Sequence, residues 1–548
     1  MRLKEHSTEQ KLRGAYYTPK NLAAAIVSLC PCKPSMRVLE PSCGDGVFIE
    51  ALRDGGLLGS GVQLDAVEID QKAIDAARAI KRGAATFHFV NDDFFKFYEK
   101  VEEGSYDLVL GNPPYIRYQY MFSDQRTLLA DILASQGMRA NKLVNAWVGF
   151  MVACTNLLAD GGTLAFVIPA EIMQVVYAED LRHFLAKHYT HITLLSFSQL
   201  VFDDIKQETV VFIGKKGKGN SFIRIIESSN VDSLVLHEVS KVAYQPFATL
   251  DTKWTRYFVN ADDAKVLAKL QDDARLVAFS EIALINVGVT TGNNSYFSIT
   301  DDISSRYNLD EYTLPLIGRS SHASGVYFTE DDWELNRSKG KRSRLLVFPE
   351  GSYEKLDEWQ RAYIDEGWSS GAGNGYKCSI RDSWYSIPSV WIPDAFFLRR
   401  NNLYPKFVIN GCGAISTDTM HRMKLRNGLD QKVALICYYN SISFAYTELC
   451  GRSYGGGVLE ILPKEVGNVL VLNPDQINLS NKQIDEAVSV ADRVIREGRN
   501  INEVLDYIDQ AVLIDVLGFE REVCSACRRA WRTLQARRIG RGNGKVAL

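Results

Sequence analysis

The sequence predicts an α/β domain built on a seven-stranded, mostly parallel, doubly wound sheet, followed by a C-terminal α+β domain. Three observations carry this. Short apolar runs alternate with helical stretches from Arg37 to Gly214, the pattern of a parallel sheet with crossover helices. The first, second and fourth runs end in a turn carrying Gly, Asp or Asn, where open parallel sheets bind ligands. Beyond residue 245 aromatic residues become dense, apolar runs shorten and Gly-Ser loops multiply, as at Ser369-Ser370-Gly371-Ala372-Gly373-Asn374-Gly375. The expected domains are 1–245 and 246–548.

The elements follow in order. Strands are expected at Arg37–Glu40, Leu64–Ile69, Thr86–Val90, Tyr106–Leu110, Thr163–Pro169, Ile192–Ser198 and Thr209–Gly214. Helices are expected at Phe48–Leu58, at the Ala-rich Gln71–Lys81, and at Leu143–Leu158, which ends on Gly161-Gly162. The run Gly214-Lys215-Lys216-Gly217-Lys218-Gly219 reads as a domain exit, and the pattern turns helical again from Asn481 to Arg538.

Composition bounds the class. The 548 residues are 46% hydrophobic and 24% charged, which excludes a disordered chain and a small disulfide scaffold. Lys plus Arg number 63 against 66 Asp plus Glu, so any surface for a polyanion must be a local patch. The N-terminus lacks an apolar signal core, and no run approaches the ~18 apolar residues of a membrane helix. A cytoplasmic protein with reduced thiols, acting as a monomer without a membrane, is expected. Cys524 and Cys527 have zinc-like spacing but no matching pair nearby, so no metal is expected.

The first strand leads into Glu40-Pro41-Ser42-Cys43-Gly44-Asp45-Gly46. Glycines at a strand-to-helix turn let the backbone approach a ligand. The spacing is not the pyrophosphate-binding one, and Asp45 suits a cationic or hydroxyl-bearing ligand. The second strand ends in Glu68, placed to accept hydrogen bonds from ribose hydroxyls. The third ends in Asp92-Asp93-Phe94, where a carboxylate and an aromatic can meet an adenine amino group and ring. In register along one sheet, these ends favour an adenosyl ligand without pyrophosphate: S-adenosylmethionine.

The fourth strand ends in Gly111-Asn112-Pro113-Pro114-Tyr115. Two prolines fix the backbone and remove two donors. The Asn112 side-chain oxygen and the Pro113 carbonyl can then accept both hydrogens of one planar amino group, directing its nitrogen lone pair at the cofactor methyl. No strong base is required, because the proton leaves after the nitrogen has become cationic. Tyr115 offers a flat face for stacking.

Asn112–Tyr115 after Glu40–Gly46 resembles the amino-methyltransferases that modify exocyclic nitrogen in DNA. Gly14-Ala15-Tyr16-Tyr17-Thr18-Pro19, ahead of the glycine turn, is similar to their N-terminal cofactor motif. This motif order resembles the gamma group, which includes the TaqI-type adenine-specific enzymes of restriction-modification systems; cytosine-N4 enzymes usually carry Ser at the first position. The resemblance implies a methyltransferase sheet that uses S-adenosylmethionine, with a C-terminal target-recognition domain. It implies cofactor contacts from Tyr17, Thr18, Glu40, Pro41, Gly44, Gly46, Glu68, Asp93 and Phe94, with Asp92 an alternative to Asp93. It implies catalysis by Asn112, Pro113, Pro114 and Tyr115, with Phe202 closing on the flipped base. The substrate would be an adenine turned out of double-stranded DNA. A cognate restriction endonuclease would be a functional rather than a physical partner.

The second half carries stretches resembling target-recognition domains: Val287–Asn294, Arg381–Tyr385, Thr417–Thr419 with His421-Arg422, and Arg452–Gly457. Arg337–Arg344 is a cationic segment suited to phosphates, and Arg381, Arg399 and Arg400 are candidate guanine readers. The basic tail from Arg528 is either a phosphate contact or a solvated end. The nearest alternative is a methyltransferase acting on RNA or on protein glutamine. Thirteen residues before Gly14 and the long region after the catalytic half favour DNA. A fused nuclease is disfavoured because Pro393-Asp394 and Pro474-Asp475 lack a following Glu-x-Lys. A binding protein with a dead fold is disfavoured by the intact Asn112–Tyr115 and Glu68.

Overall fold

The computed structural model describes residues 17–31, 33–80, 83–139, 144–197, 208–234, 239, 241–247, 253–454 and 456–540. The chain divides into two compact units, Met1–Ala261 and Asp262–Leu548.

The first unit is a wound sheet. Its strands are β1 (Ser35–Glu40), β2 (Gly61–Val67), β3 (Thr86–Val90), β4 (Tyr106–Gly111), β5 (Leu158–Pro169), β6 (Tyr189–Phe197), β7 (Thr209–Lys216), β8 (Phe222–Ser228) and β9 (Gln245–Pro246). They lie in the order β3-β2-β1-β4-β5-β7-β6-β8-β9. β3 through β5 are mutually parallel, whereas β7 runs antiparallel between β5 and β6. Among the described residues the sheet therefore has nine strands, not seven. β8 pairs in parallel with β6 along its whole length and β9 caps that edge, extending the sheet beyond the expected exit at Gly214–Gly219.

The helices are α1 (Lys20–Leu29), α2 (Val47–Asp54), α3 (Gln71–Ala79), α4 (Phe94–Tyr98), α5 (Ser123–Ser135), α6 (Ala146–Leu157) and α7 (Glu179–His188). α1, α4, α5 and α7 are not foreseen by the strand–helix alternation. Two apolar layers sandwich the sheet. One gathers α1, α2 and α3 over Val38, Leu64, Leu108 and Ala165. The other gathers α5, α6 and α7 over Leu39, Val109, Leu164 and Phe166. Adjacent residues of each strand thus serve opposite faces, which is why these strands read as continuous apolar runs. α6 ends at Leu157 and β5 begins at once, so Gly161 (φ +79°) bends a strand rather than ending a helix.

The second unit has a five-stranded sheet ordered Ala283–Val287, Met420–Leu425, Ala395–Leu398, Phe407–Asn410, Tyr327–Phe328. Beside it are four-, three- and two-stranded sheets, and the helices Gln431–Tyr438, Ser441–Cys450, Asn481–Arg496 and Arg521–Gly540. Among the described residues no helix is long and apolar enough to cross a membrane.

Candidate active site

The parallel register brings the ends of β1 to β4 side by side. Cys43 N donates to the Val67 carbonyl at 2.9 Å, tying the glycine turn to the end of β2. Glu68 then organises that corner. One oxygen accepts from Gly44 N at 2.9 Å and the other from Asp70 N at 2.9 Å. Its backbone carbonyl accepts from Asn91 Nδ2, and its N–H donates to the Val90 carbonyl. β2 therefore stops at Val67, and Asp70 caps α3 by accepting from Lys72 N and Ala73 N.

Gly46 is required by geometry. Its φ is +90°, and a Cβ there would lie 2.4 Å from Ile80 Cδ1 and 3.2 Å from Ala77 Cα. The turn can thus pack against α3 only without a side chain. Tyr17 covers the same turn: a Cβ on Gly44 would lie 3.8 Å from its ring. Tyr17 is exposed, and its phenol is pushed up by desolvation and then by Asp45, Asp70 and Glu68. Thr18, next to it, is buried.

Glu40 is 1% exposed, and its Oε2 has no hydrogen-bond partner among the described residues. Desolvation first, then Glu68 and Asp45, hold its carboxyl well above the usual range. A buried acid beside two others is a costly arrangement that an incoming cation would relieve. Pro41 is buried beside it, and a Cβ on Gly111 would lie 3.6 Å from Pro41 Cδ and 4.0 Å from Glu40 Cγ. The residue before Asn112 thus rests on the Glu40-Pro41 turn. Ser42 Oγ also donates to the Asn112 carbonyl at 3.1 Å.

Asn112 is half-buried, Pro113 buried, Pro114 half-buried and Tyr115 8% exposed. The Tyr115 hydroxyl donates to the Val167 carbonyl at 3.1 Å, linking the loop after β4 to the end of β5. Beyond Tyr115 the chain is pinned again: Ala146 N donates to the Ile116 carbonyl, and Tyr118 N to that of Val144. Phe202 lies outside the described residues, as do Gly14, Ala15 and Tyr16.

Asp93 caps α4, its Oδ1 accepting from Phe95 N at 2.8 Å, and its Oδ2 accepts from Gln125 Nε2 at 2.5 Å. Asp92 instead turns to Lys100 Nζ at 3.1 Å, which holds its carboxyl below the usual range. The two neighbouring acids are thus distinct: Asp93 faces α5, Asp92 a surface lysine. Phe94 is buried, stacked on Phe150 with centroids 4.6 Å apart. Sequence reasoning missed Gln125, and it missed Glu171 and Tyr177 just past β5, where the Tyr177 hydroxyl donates to Glu171. No motif marks them; only the fold brings Gln125 to Asp93.

In the second unit, most of the nominated cations are engaged internally. Arg337 pairs with Asp301 and Glu334, and Arg344 with Asp301 and Asp310. Arg399 and Arg400 share Glu460, and Arg381 donates to the Thr290 carbonyl. Arg422 holds the carbonyls of Val287 and Ser389, and buried His421 meets the Ile461 carbonyl at 2.7 Å. Gly288 is needed because a Cβ would lie 1.9 Å from the Thr417 carbonyl. The described part of the basic tail is the helix Arg521–Gly540, whose Arg528, Arg529 and Arg538 pair with Asp509, Asp263 and Glu448. Cys524 and Cys527 are buried in it, their thiols pushed up by burial.

Two family profiles match the chain: "Eco57I restriction-modification methylase" over residues 60–202 and "Type II methyltransferase M.Eco57I, C-terminal domain" over residues 251–513. The Type II methyltransferase M.AccI of Acinetobacter calcoaceticus is 24% identical over 539 residues, 92% of this chain and 94% of its own. The Type II methyltransferase M.TthHB8I of Thermus thermophilus is 31% identical over 211 residues, 37% of this chain and 45% of its own. Among solved structures, the Type IIL restriction-modification enzyme MmeI in complex with DNA shares the fold, with a TM-score of 0.55 and 13% identity over 94% of this chain and 75% of that one. Matched in both halves by these profiles and nearly end to end by M.AccI, the chain is similar along most of its length to Type II restriction-modification methyltransferases.

Proposed function

We propose that the chain is a site-specific DNA (adenine-N6)-methyltransferase that uses S-adenosylmethionine and protects its site from a cognate restriction endonuclease. One observation carries the reading: Glu40–Gly46, Glu68, Asp93 and Asn112–Tyr115 stand at the adjacent carboxyl ends of β1 to β4.

The residues fit the cofactor. Glu40, buried and with an oxygen unmatched among the described residues, and Asp45 supply negative charge for its cationic groups. Glu68 is held at the ribose position by Gly44 N and Asp70 N, and Asp93 lies at the adenine position beside Phe94. Tyr17 and Thr18 close the methionine end, and Pro41, Gly44 and Gly46 shape the turn. When bound, the cofactor supplies an electrophilic methyl group on sulfur.

The chain's residues do the rest. Asn112 and Pro113 accept the amino hydrogens of the target and orient its lone pair, while Pro114 stiffens the loop. Tyr115, fixed through Val167, and Phe202 hold the extruded base, since the amino nitrogen is out of reach within the stack. The second unit reads the duplex. Asn112→Ala lowers methyl transfer to DNA by at least about 10²-fold while cofactor binding persists, measured by labelled methyl incorporation and calorimetry. A fully active variant contradicts the assignment.

A further inference from the structure

Asp93 is a buried carboxylate with both oxygens bound by the protein. Oδ1 accepts from Phe95 N at 2.8 Å as the cap of α4. Oδ2 accepts from Gln125 Nε2, 32 residues along the chain, at 2.5 Å. A hydrogen bond to an ionised group is short and strong, and two of them on different oxygens fix both the rotamer and the plane of the carboxylate. Each carboxylate oxygen has two lone-pair positions, so Oδ2 keeps one acceptor direction, and Gln125 determines which one.

Gln125 is itself held. Its Oε1 accepts from Phe122 N at 3.2 Å, closing the first turn of α5. The same turn is tied to α4 by Lys96 Nζ and Asp124 Oδ2 at 3.2 Å. α5 is thus the element that sets the Gln125 amide, and it begins eight residues after Tyr115, beyond the segment pinned to Val144 and Ala146.

We propose that Gln125 is a positioning residue of the cofactor site: its amide aims the remaining lone pair of Asp93 Oδ2 at the exocyclic amino group of the adenine moiety. This rests on the reading that Asp93 meets that amino group. The ligand feature that Gln125 serves is then the N–H donor of adenine, and its deaminated analogue, with a carbonyl at the same position, is rejected.

The full-length protein is titrated by calorimetry with S-adenosylhomocysteine and with S-inosylhomocysteine. Wild type prefers the adenine ligand by about tenfold or more, the scale of one hydrogen bond to a charged group. Gln125→Glu keeps the acceptor for Phe122 N and removes the donor to Asp93, so it separates helix capping from aiming. In that variant the preference falls about tenfold. The KM for the methyl donor rises, and kcat at saturating cofactor is unchanged. An undiminished preference in Gln125→Glu reduces Gln125 to a cap and overturns the inference. Equal binding of both ligands by wild type overturns the Asp93 reading itself, and this proposal with it.

Discussion

The two units use charge in opposite ways. At the strand ends of the first, Glu40 is buried beside Glu68 and Asp45, and its carboxyl is driven up by burial first and then by those two acids. In the second, Arg337, Arg344, Arg399 and Arg400 are matched by acids, and the Arg538–Glu448 pair is 2% exposed on both sides. Unmatched buried charge marks a place built for a ligand, whereas matched charge marks a place built to hold shape. The near-neutral total of −3 averages these two designs.

The largest expected effect tests the matched side. Arg538 donates to both Glu448 oxygens and to the carbonyls of Asn402 and Gly457. Arg538→Ala leaves a buried carboxylate without its partner and destabilises the protein by about 3–5 kcal/mol in denaturant titration. A loss below about 1 kcal/mol would show that the pair is not structural.

A middling effect tests the unmatched side. The folded pKa of Glu40 lies above its unfolded value, so the protonated form is favoured in the fold. Its contribution to stability is present at low pH and is lost as pH rises through the raised value. A cationic cofactor favours the ionised form, so cofactor affinity rises with pH through that same value and then levels. Glu40→Gln flattens the profile, and an unchanged profile in that variant removes Glu40 from the role.

The smallest effect tests a contact that sequence favoured. Arg337, engaged with Asp301 and Glu334, is expected to leave the salt dependence of DNA binding untouched when changed to Ala. A log–log salt slope reduced by about 0.9 would restore it as a phosphate contact.

This contrast explains what could be read in advance. The strand ends were legible because backbone chemistry is local there: Pro113 and Pro114 restrict their own torsions, and Gly46 and Glu68 belong to the turns they shape. β8 and β9 were not, because a Lys/Gly run interrupts the apolar pattern before them. α5 was missed because its buried residues, Leu129, Ile132 and Leu133, are confined to its second half, among polar neighbours. Gln125 was invisible for the same reason, and its role depends on a partner 32 residues away. In the second unit an arginine ready for phosphate and one clamped on Asp301 have the same sequence signature; only packing tells them apart.

The central claim is that this chain methylates the amino nitrogen of adenine in duplex DNA. Incubation of the purified protein with genomic DNA and labelled S-adenosylmethionine, followed by nucleoside mass spectrometry, tests it directly. The account predicts N6-methyladenine confined to one short sequence. Label in methylated cytosine, in RNA or in protein glutamine, with none in adenine, would contradict it.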